Sequence, residues 1–285
     1  MSLPAVLCVG RVYCDLVFCG LNSGPSPGQE IYADRLSLHT GGGAAITAYS
    51  LAKLGHTVDL CAKLPASPFL SIVETDLTSV VDLKYCSAVE QDDPQITVAL
   101  TGDRDRSFIT RRPGKALPDH YTQHLKAAGE STSISHLHIG ELATLLDHPD
   151  LVTLAQKAGW SVSLDCAWDP DALHSKQALA LIEKVDVFLP NESEFKELAA
   201  IGLTAETVPV TVIKKGESGA QAFSKNESAE VLAEKVQCMD ATGAGDAFNA
   251  GFIHAWLQGQ SLDRCLVSGN RSGAEAVSHL GGIAV

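Results

Sequence analysis

From residue 134 onward the chain alternates short extended runs with helical stretches: extended over 134–139, helical near 149–158, extended over 161–165, helical near 172–184, extended over 187–189, helical near 192–200 and extended over 208–213. Strand, helix and strand in this rhythm predict right-handed βαβ units, hence a largely parallel sheet covered by helices on both faces. The apolar run 5–10 reads as a further strand of that sheet, because strands buried on both faces lose polar alternation. At 285 residues the chain is long enough to bury such a core as one domain. Ligands of open parallel sheets bind beyond the carboxyl ends of the strands, so candidate residues are sought there.

Segments 30–39 and 95–111 break the pattern by alternating polar and apolar residues at a period of two, which predicts short antiparallel strands with one wet face and a small flap. Residues 12–18 form another extended run, containing the single acid Asp15. An exposed flap edge favours pairing with a second copy of the chain, whereas the charges of Asp103, Arg104, Asp105 and Arg106 would keep it solitary.

The 21 Lys and Arg residues are outnumbered by 34 Asp and Glu, a formal net charge of −13, and a field of that sign repels nucleic acid and anionic membrane. The eight cysteines contain no Cys-x-x-Cys pair and fall mostly in apolar runs, which predicts reduced core residues and a cytoplasmic protein. No apolar stretch reaches the ~18 residues a membrane helix requires. Ten histidines form no evident ligand set, and His136 and His138 share one face of a strand.

Residues 240–252 read Asp-Ala-Thr-Gly-Ala-Gly-Asp-Ala-Phe-Asn-Ala-Gly-Phe. Gly243, Ala244 and Gly245 leave backbone N–H groups uncovered at the start of an apolar helix, and such a helix start attracts anions. Asp246 sits inside that site, where a carboxylate is unfavourable unless a cation or a proton transfer compensates it. It therefore reads as a catalytic base, against the plainer reading of an acid capping a strand-to-helix turn. Gly41, Gly42 and Gly43 open a second helix that stops at Gly55, and bare backbone there admits a polyhydroxylated ligand. Reading Gly41 to Ile46 as a dinucleotide fingerprint fails, because Ile46 holds the last position and a period-two segment precedes it. A Gly-x-x-x-x-Gly-Lys-Ser/Thr loop is also absent.

Taken together, residues 240–252 and 41–55 resemble the two signatures of the ribokinase-like carbohydrate kinases, the phosphofructokinase B-type family, and the resemblance spans the chain. It implies a three-layer α/β/α fold with a mainly parallel sheet, one domain over 1–285, and a small β lid formed by about 12–40 and 95–112. In several members the lid also supplies a dimer interface. The implied activity is transfer of the γ-phosphoryl group of ATP to a hydroxymethyl group of a small sugar, with Asp246 as base and the backbone of Gly243, Ala244 and Gly245 as anion hole. A nucleoside kinase of the same fold and a catalytically silent sugar- or nucleotide-binding protein are the alternatives.

By the same resemblance Asp15, Gly41 and Gly42 grip the acceptor. Glu141 is a second candidate there, or else a first-turn helix acid. Asn191 and Glu194 match an Asn-x-x-Glu element that orders water around Mg²⁺, with Glu192 adjacent. Lys214, Lys215, Gly216 and Gly219 correspond to a turn near the nucleotide phosphates or ribose, with Lys215 as the binding lysine, and Asn270 borders the adenine. Asp240, Thr242, Ala276 and Gly281 would hold a monovalent cation such as K⁺. Two positions depart from the family: Ile46 replaces an Asn that bonds a substrate hydroxyl, and Asp165-Cys166-Ala167-Trp168 lacks the Asn and Arg of an Asp-x-Asn-x-Arg element. The second departure counts against fructokinase-like or ketodeoxygluconate-kinase-like activity. Phosphorylated acceptors are disfavoured because 41–48 contains no Lys or Arg, although Arg104, Arg106, Arg111 and Arg112 lie in the lid.

Overall fold

The structure is a computed structural model and describes residues 3–89, 95–102, 106–130, 134–279 and 281–283. The first half contains β1 (Ala5–Val9), β2 (Tyr13–Leu21), β3 (Arg35–Gly41), α1 (Gly43–Lys53), β4 (Val58–Cys61), β5 (Lys63–Leu64), α2 (Leu70–Leu77), β6 (Ser87–Ala88), β7 (Ile96–Gly102), β8 (Arg106–Arg111) and α3 (Tyr121–Glu130). There follow β9 (Ile134–Ile139), α4 (Leu142–Asp147), α5 (Leu151–Lys157), β10 (Ser161–Asp165), α6 (Pro170–Leu173), α7 (Lys176–Ile182), β11 (Val187–Leu189) and α8 (Glu192–Ala200). The last part holds β12 (Val210–Lys214), β13 (Ala220–Ser224), β14 (Ser228–Val231), α9 (Ala244–Leu257) and α10 (Leu262–Ala276).

Eight strands form the main sheet in the order β14-β13-β12-β11-β10-β9-β1-β4, parallel from β12 to β4 and antiparallel at β13 and β14. Successive side chains of a strand face opposite ways, so β1 sends Leu7 and Val9 to one helical layer, and Val6 and Cys8 to the other. Leu7 and Val9 join Leu142, Leu151 and Leu198 from α4, α5 and α8. Val6 and Cys8 meet Ala44 and Leu51 of α1 and Ile253 of α9, while Val187, Leu189 and Val212 pack on Phe248 and Phe252 of α9 and Leu266 of α10. The result is the three-layer α/β/α arrangement. Among the described residues no helix is long and apolar enough to cross a membrane.

A second sheet, β3-β2-β7-β8, stands over the carboxyl ends of the main strands as the lid. Residues 12–18 belong to this lid rather than to the main sheet, and the expected strand over 30–39 begins only at Arg35, since 22–34 is a largely exposed connection. The helix expected near 172–184 is divided into α6 and α7 because two capping residues compete within it. Asp169 accepts from Asp171 N and Ala172 N, and Ser175 accepts from Gln177 N, so each starts a helix of its own. Helix α4 precedes the one expected near 149–158. Asp103, Arg104 and Asp105 lie outside the described residues.

Candidate active site

A cavity of about 1480 Å³ opens between the lid and the ends of β1, β9, β10, β11 and β12. Asp246 lies in its wall, in the first turn of α9. Gly243 caps that helix in the left-handed region at φ 74°, a conformation glycine adopts without penalty, and a Cβ there would come within 2.7 Å of Gly282 Cα. The helix start therefore lies flush against the chain's last loop, bringing Ala244, Gly245 and Asp246 to the cavity surface. On the other side stands the start of α1: a Cβ on Gly43 would lie 3.0 Å from Asp246 Oδ1, and Thr47 Oγ1 donates to Asp246 O at 3.2 Å. Two uncapped helix N-termini thus flank one carboxyl group. Burial, reinforced by the charges of Asp165, Glu141 and Asp15 and opposed by Lys214, pushes Asp246 up to about 8.

Beside Asp246, Lys214 donates to Asp165 Oδ1 at 2.8 Å and to Asn249 Oδ1 at 3.0 Å, and Asn249 Nδ2 closes the ring on Asp165 Oδ2 at 2.8 Å. Sequence reasoning chose Lys215, but that side chain turns outward to Glu230, 3.1 Å away, and it is Lys214 that lines the cavity. The signal was strand parity: Lys214 shares the face of Val210 and Val212, which packs on α9, and Asn249 stands three residues after Asp246 on the same helix face. Asp165 entered the sequence reading only as part of a departure, yet it anchors this ring. Glu194, buried at the start of α8, forms a reciprocal capping box with Asn191, accepting Asn191 N at 2.8 Å while its own N–H donates to Asn191 Oδ1 at 2.9 Å. Burial and the nearby charge of Asp165 raise Glu194 to about 7, against the pull of Lys214.

Toward the lid, the Asp15 carboxylate is buried over Gly41, which has no side chain to displace it, and burial pushes it up to about 7 although Thr97 hydrogen-bonds it. Tyr13, Thr97 and Gly43 line the cavity here, whereas their neighbours Asp15, Gly41 and Gly42 are not among its lining residues. Glu141 reaches the cavity, but its Oε1 accepts Arg11 N at 2.9 Å and the Thr144 hydroxyl, so much of its hydrogen-bonding capacity serves the chain itself. Ile46 is buried, with Cδ1 wedged between Gly243 and Gly282. It fills a packing gap and does not line the cavity. Two arginines that the sequence left unassigned or loosely placed organise the rim. Arg11 holds Gln95 Oε1 at 2.9 Å, Pro113 O at 3.1 Å and Gly114 O, the feet of the β7–β8 hairpin, while Arg112 pairs with Asp169. Between them and β10, Ala167 at φ 54° holds Trp168 on the cavity rim, 59% exposed.

At the far end, Gly216 and Gly219 line the cavity in the turn between β12 and β13. Asn270 donates to Val231 O and Leu232 O, both at 3.1 Å, tying α10 to the end of β14. Asp240 accepts Thr242 N at 2.9 Å and Thr242 Oγ1 at 2.7 Å through one oxygen and Gly281 N at 2.9 Å through the other. Ala276 ends α10 next to Val277, whose carbonyl accepts Met239 N at 2.8 Å, so all four expected cation residues converge on one pair of loops.

Residues 4–285 match the pfkB family carbohydrate kinases. A nucleoside kinase of Methanocaldococcus jannaschii is 26% identical over 276 residues, covering 93% of this chain and 87% of the relative. A ribokinase of Haemophilus influenzae is 24% identical over 271 residues, covering 90% and 86%. Among solved structures, Arabidopsis thaliana ribokinase complexed with ribose and ATP superposes with a TM-score of 0.76 at 22% identity, over 99% of this chain and 96% of that one. With its fold, its lid and a match running almost end to end, the chain belongs to the pfkB family of carbohydrate kinases, phosphotransferases that act on hydroxyl groups of sugars or nucleosides.

Proposed function

We propose that the protein transfers the γ-phosphoryl group of ATP to a hydroxymethyl group of a small sugar, with Asp246 accepting the hydroxyl proton. The observation that carries this reading is the position of Asp246: a carboxyl group with raised proton affinity, flanked by two uncapped helix starts and facing the cavity. A base must take a proton as the acceptor oxygen attacks, and a group that holds protons near neutral pH is matched to that task. The N–H groups at the start of α9 favour the negative charge of the phosphoryl group, and the lid excludes water that would otherwise consume ATP. Asp15 and the backbone at Gly41 and Gly42 would hold acceptor hydroxyls from the lid side, next to the lining residues Tyr13, Thr97 and Gly43. Gly216, Gly219 and Asn270 border the nucleotide. Asp246→Asn is expected to lower kcat by about 10²-fold or more with nucleotide affinity little changed. ADP release measured over a panel of sugars and nucleosides, beside calorimetry with an ATP analogue, tests both points; tight nucleotide binding with no turnover on any acceptor would make the protein a silent binder.

Glu194 suits a hydrated Mg²⁺: its buried carboxylate lines the cavity, only Oε2 is engaged among the described residues, and a cation relieves the cost that raises its proton affinity. Asn191 and Glu194 would hold the ion through water, and when bound it neutralises charge on the triphosphate. Thr242, Ala276 and Gly281, on the loops that Asp240 joins, would hold K⁺ with Asp240, which activity in K⁺ against activity in tetramethylammonium salt tests.

A nucleoside acceptor is the second reading, and the exposed Trp168 ring on the rim favours it, since a planar base stacks on such a face. The outer face of the lid carries Leu16, Phe18, Leu36, Leu38, Val98, Leu100 and Ile109 in one cross-strand register, with Leu36 51%, Leu38 44% and Ile109 65% exposed. An apolar face of this kind fits a second copy of the chain, giving a homodimer through the lid. Leu38→Asp is expected to convert that dimer to monomer in sedimentation velocity. All eight cysteines are free thiols, which suits the reducing cytoplasm.

A further inference from the structure

An ammonium group has three N–H donors, and the ring described above uses two of those on Lys214, to Asp165 Oδ1 and Asn249 Oδ1. Asp165 is itself fixed, because Oδ1 also accepts Cys166 N at 2.7 Å and Oδ2 accepts Asn249 Nδ2. The third donor has no protein acceptor among the described residues. Nζ lies 3.5 Å from the point a Cβ on Gly245 would occupy, beside the exposed and bare first turn of α9. An anion seated on that helix start therefore arrives within reach of the remaining N–H. The ion pair with Asp165 keeps the largely buried ammonium charged at this position.

We propose that Lys214 is a further catalytic residue, whose ammonium donates a hydrogen bond to a non-bridging oxygen of the phosphoryl group during transfer, with Asp165 and Asn249 as the residues that position it. The inference rests on the reading of Asp246 as the reacting centre. In the step, the acceptor oxygen forms a bond to the γ-phosphorus, the bond from that phosphorus to the bridging oxygen breaks, ADP leaves with the electron pair, and the hydroxyl proton passes to Asp246. Lys214 keeps its three hydrogens throughout. Burial draws its proton affinity down, but the charges of Asp165 and Glu194 raise it further, so it remains an ammonium across the neutral range. As negative charge builds on the phosphoryl oxygens during transfer, it also offsets the repulsion from the carboxylates of Asp165, Glu194 and Asp246.

The test is steady-state kinetics of Lys214→Met and Lys214→Ala with calorimetry of an ATP analogue. The expected result is a kcat lower by about 10²-fold, the usual cost of one lost donor to a developing charge, with analogue affinity and acceptor KM within about threefold. Added ethylammonium should restore part of kcat to Lys214→Ala in a saturable way, a recovery that a purely structural lysine would not show. A kcat within threefold of the parent, or no ethylammonium recovery at full folding, overturns the proposal. Should either variant unfold because Asp165 is left unpaired, Asp165→Asn is compared with Asp165→Asn/Lys214→Met, which removes both charges together. A double variant about 10²-fold slower than Asp165→Asn supports the role, and equal rates reject it. An active Asp246→Asn would instead defeat the base assignment, whatever Lys214 variants do.

Discussion

Burial among Asp165, Glu141 and Asp15 raises Asp246 to about 8, so in the free protein at neutral pH much of this carboxyl is protonated and unable to take a proton from the acceptor. The expected consequence is a kcat/KM that climbs with pH through about 8, a limb absent from the residual rate of Asp246→Asn; a profile flat from pH 6 to 9 would exclude this base. Ile46 makes the opposite argument. Its side chain is wedged between Gly243 and Gly282, so Ile46→Asn would bury an amide without partners and is expected to destabilise the fold by about 1–3 kcal/mol in urea unfolding, with no new acceptor turned over. The departure from the family at this position was visible in the sequence, whereas the packing that explains it was not, because Gly282 lies far along the chain.

The lid is held at its base by Arg11, which joins the loop after β1 to Gln95, Pro113 and Gly114. Arg11→Ala removes these charge-assisted bonds, each worth about 1.5 kcal/mol or more, and should raise the acceptor KM by roughly tenfold or more. ADP release without acceptor should rise in parallel, and an unchanged acceptor KM would show that the lid closes without this clamp. Elements with strong periodicity, such as β9, β10, β11 and α8, were legible in the sequence because burial on fixed faces imposes that period. Lid pairing was legible only as alternation, since β2 pairs with β7, distant in sequence, and nothing local records that choice. The same blindness to distance left Lys214 undistinguished from Lys215: its parity on β12 was readable, but Asp165 and Asn249 come from other elements.

For the molecule as a whole, the site carboxyls trade stability for chemistry. Asp15 and Asp246 hold protons in the folded state up to about 7 and 8, far above their ordinary 3.8, so the folded protein binds more protons than the unfolded chain between those limits. Their contribution to stability is complete below about pH 4 and is lost as pH rises through 7 and 8. Calorimetric melting temperatures should therefore fall from pH 5 to 8, and Asp246→Asn should flatten that decline; an equally steep decline in the variant would contradict the assignment. The strand and helix rhythm made the sheet readable, while the site depended on which distant loops meet. Thr47 and Asp246, 199 positions apart, meet at the join of α1 with α9. A nascent polypeptide still attached to the ribosome therefore lacks one wall of the candidate site until residues 243–246 have been made.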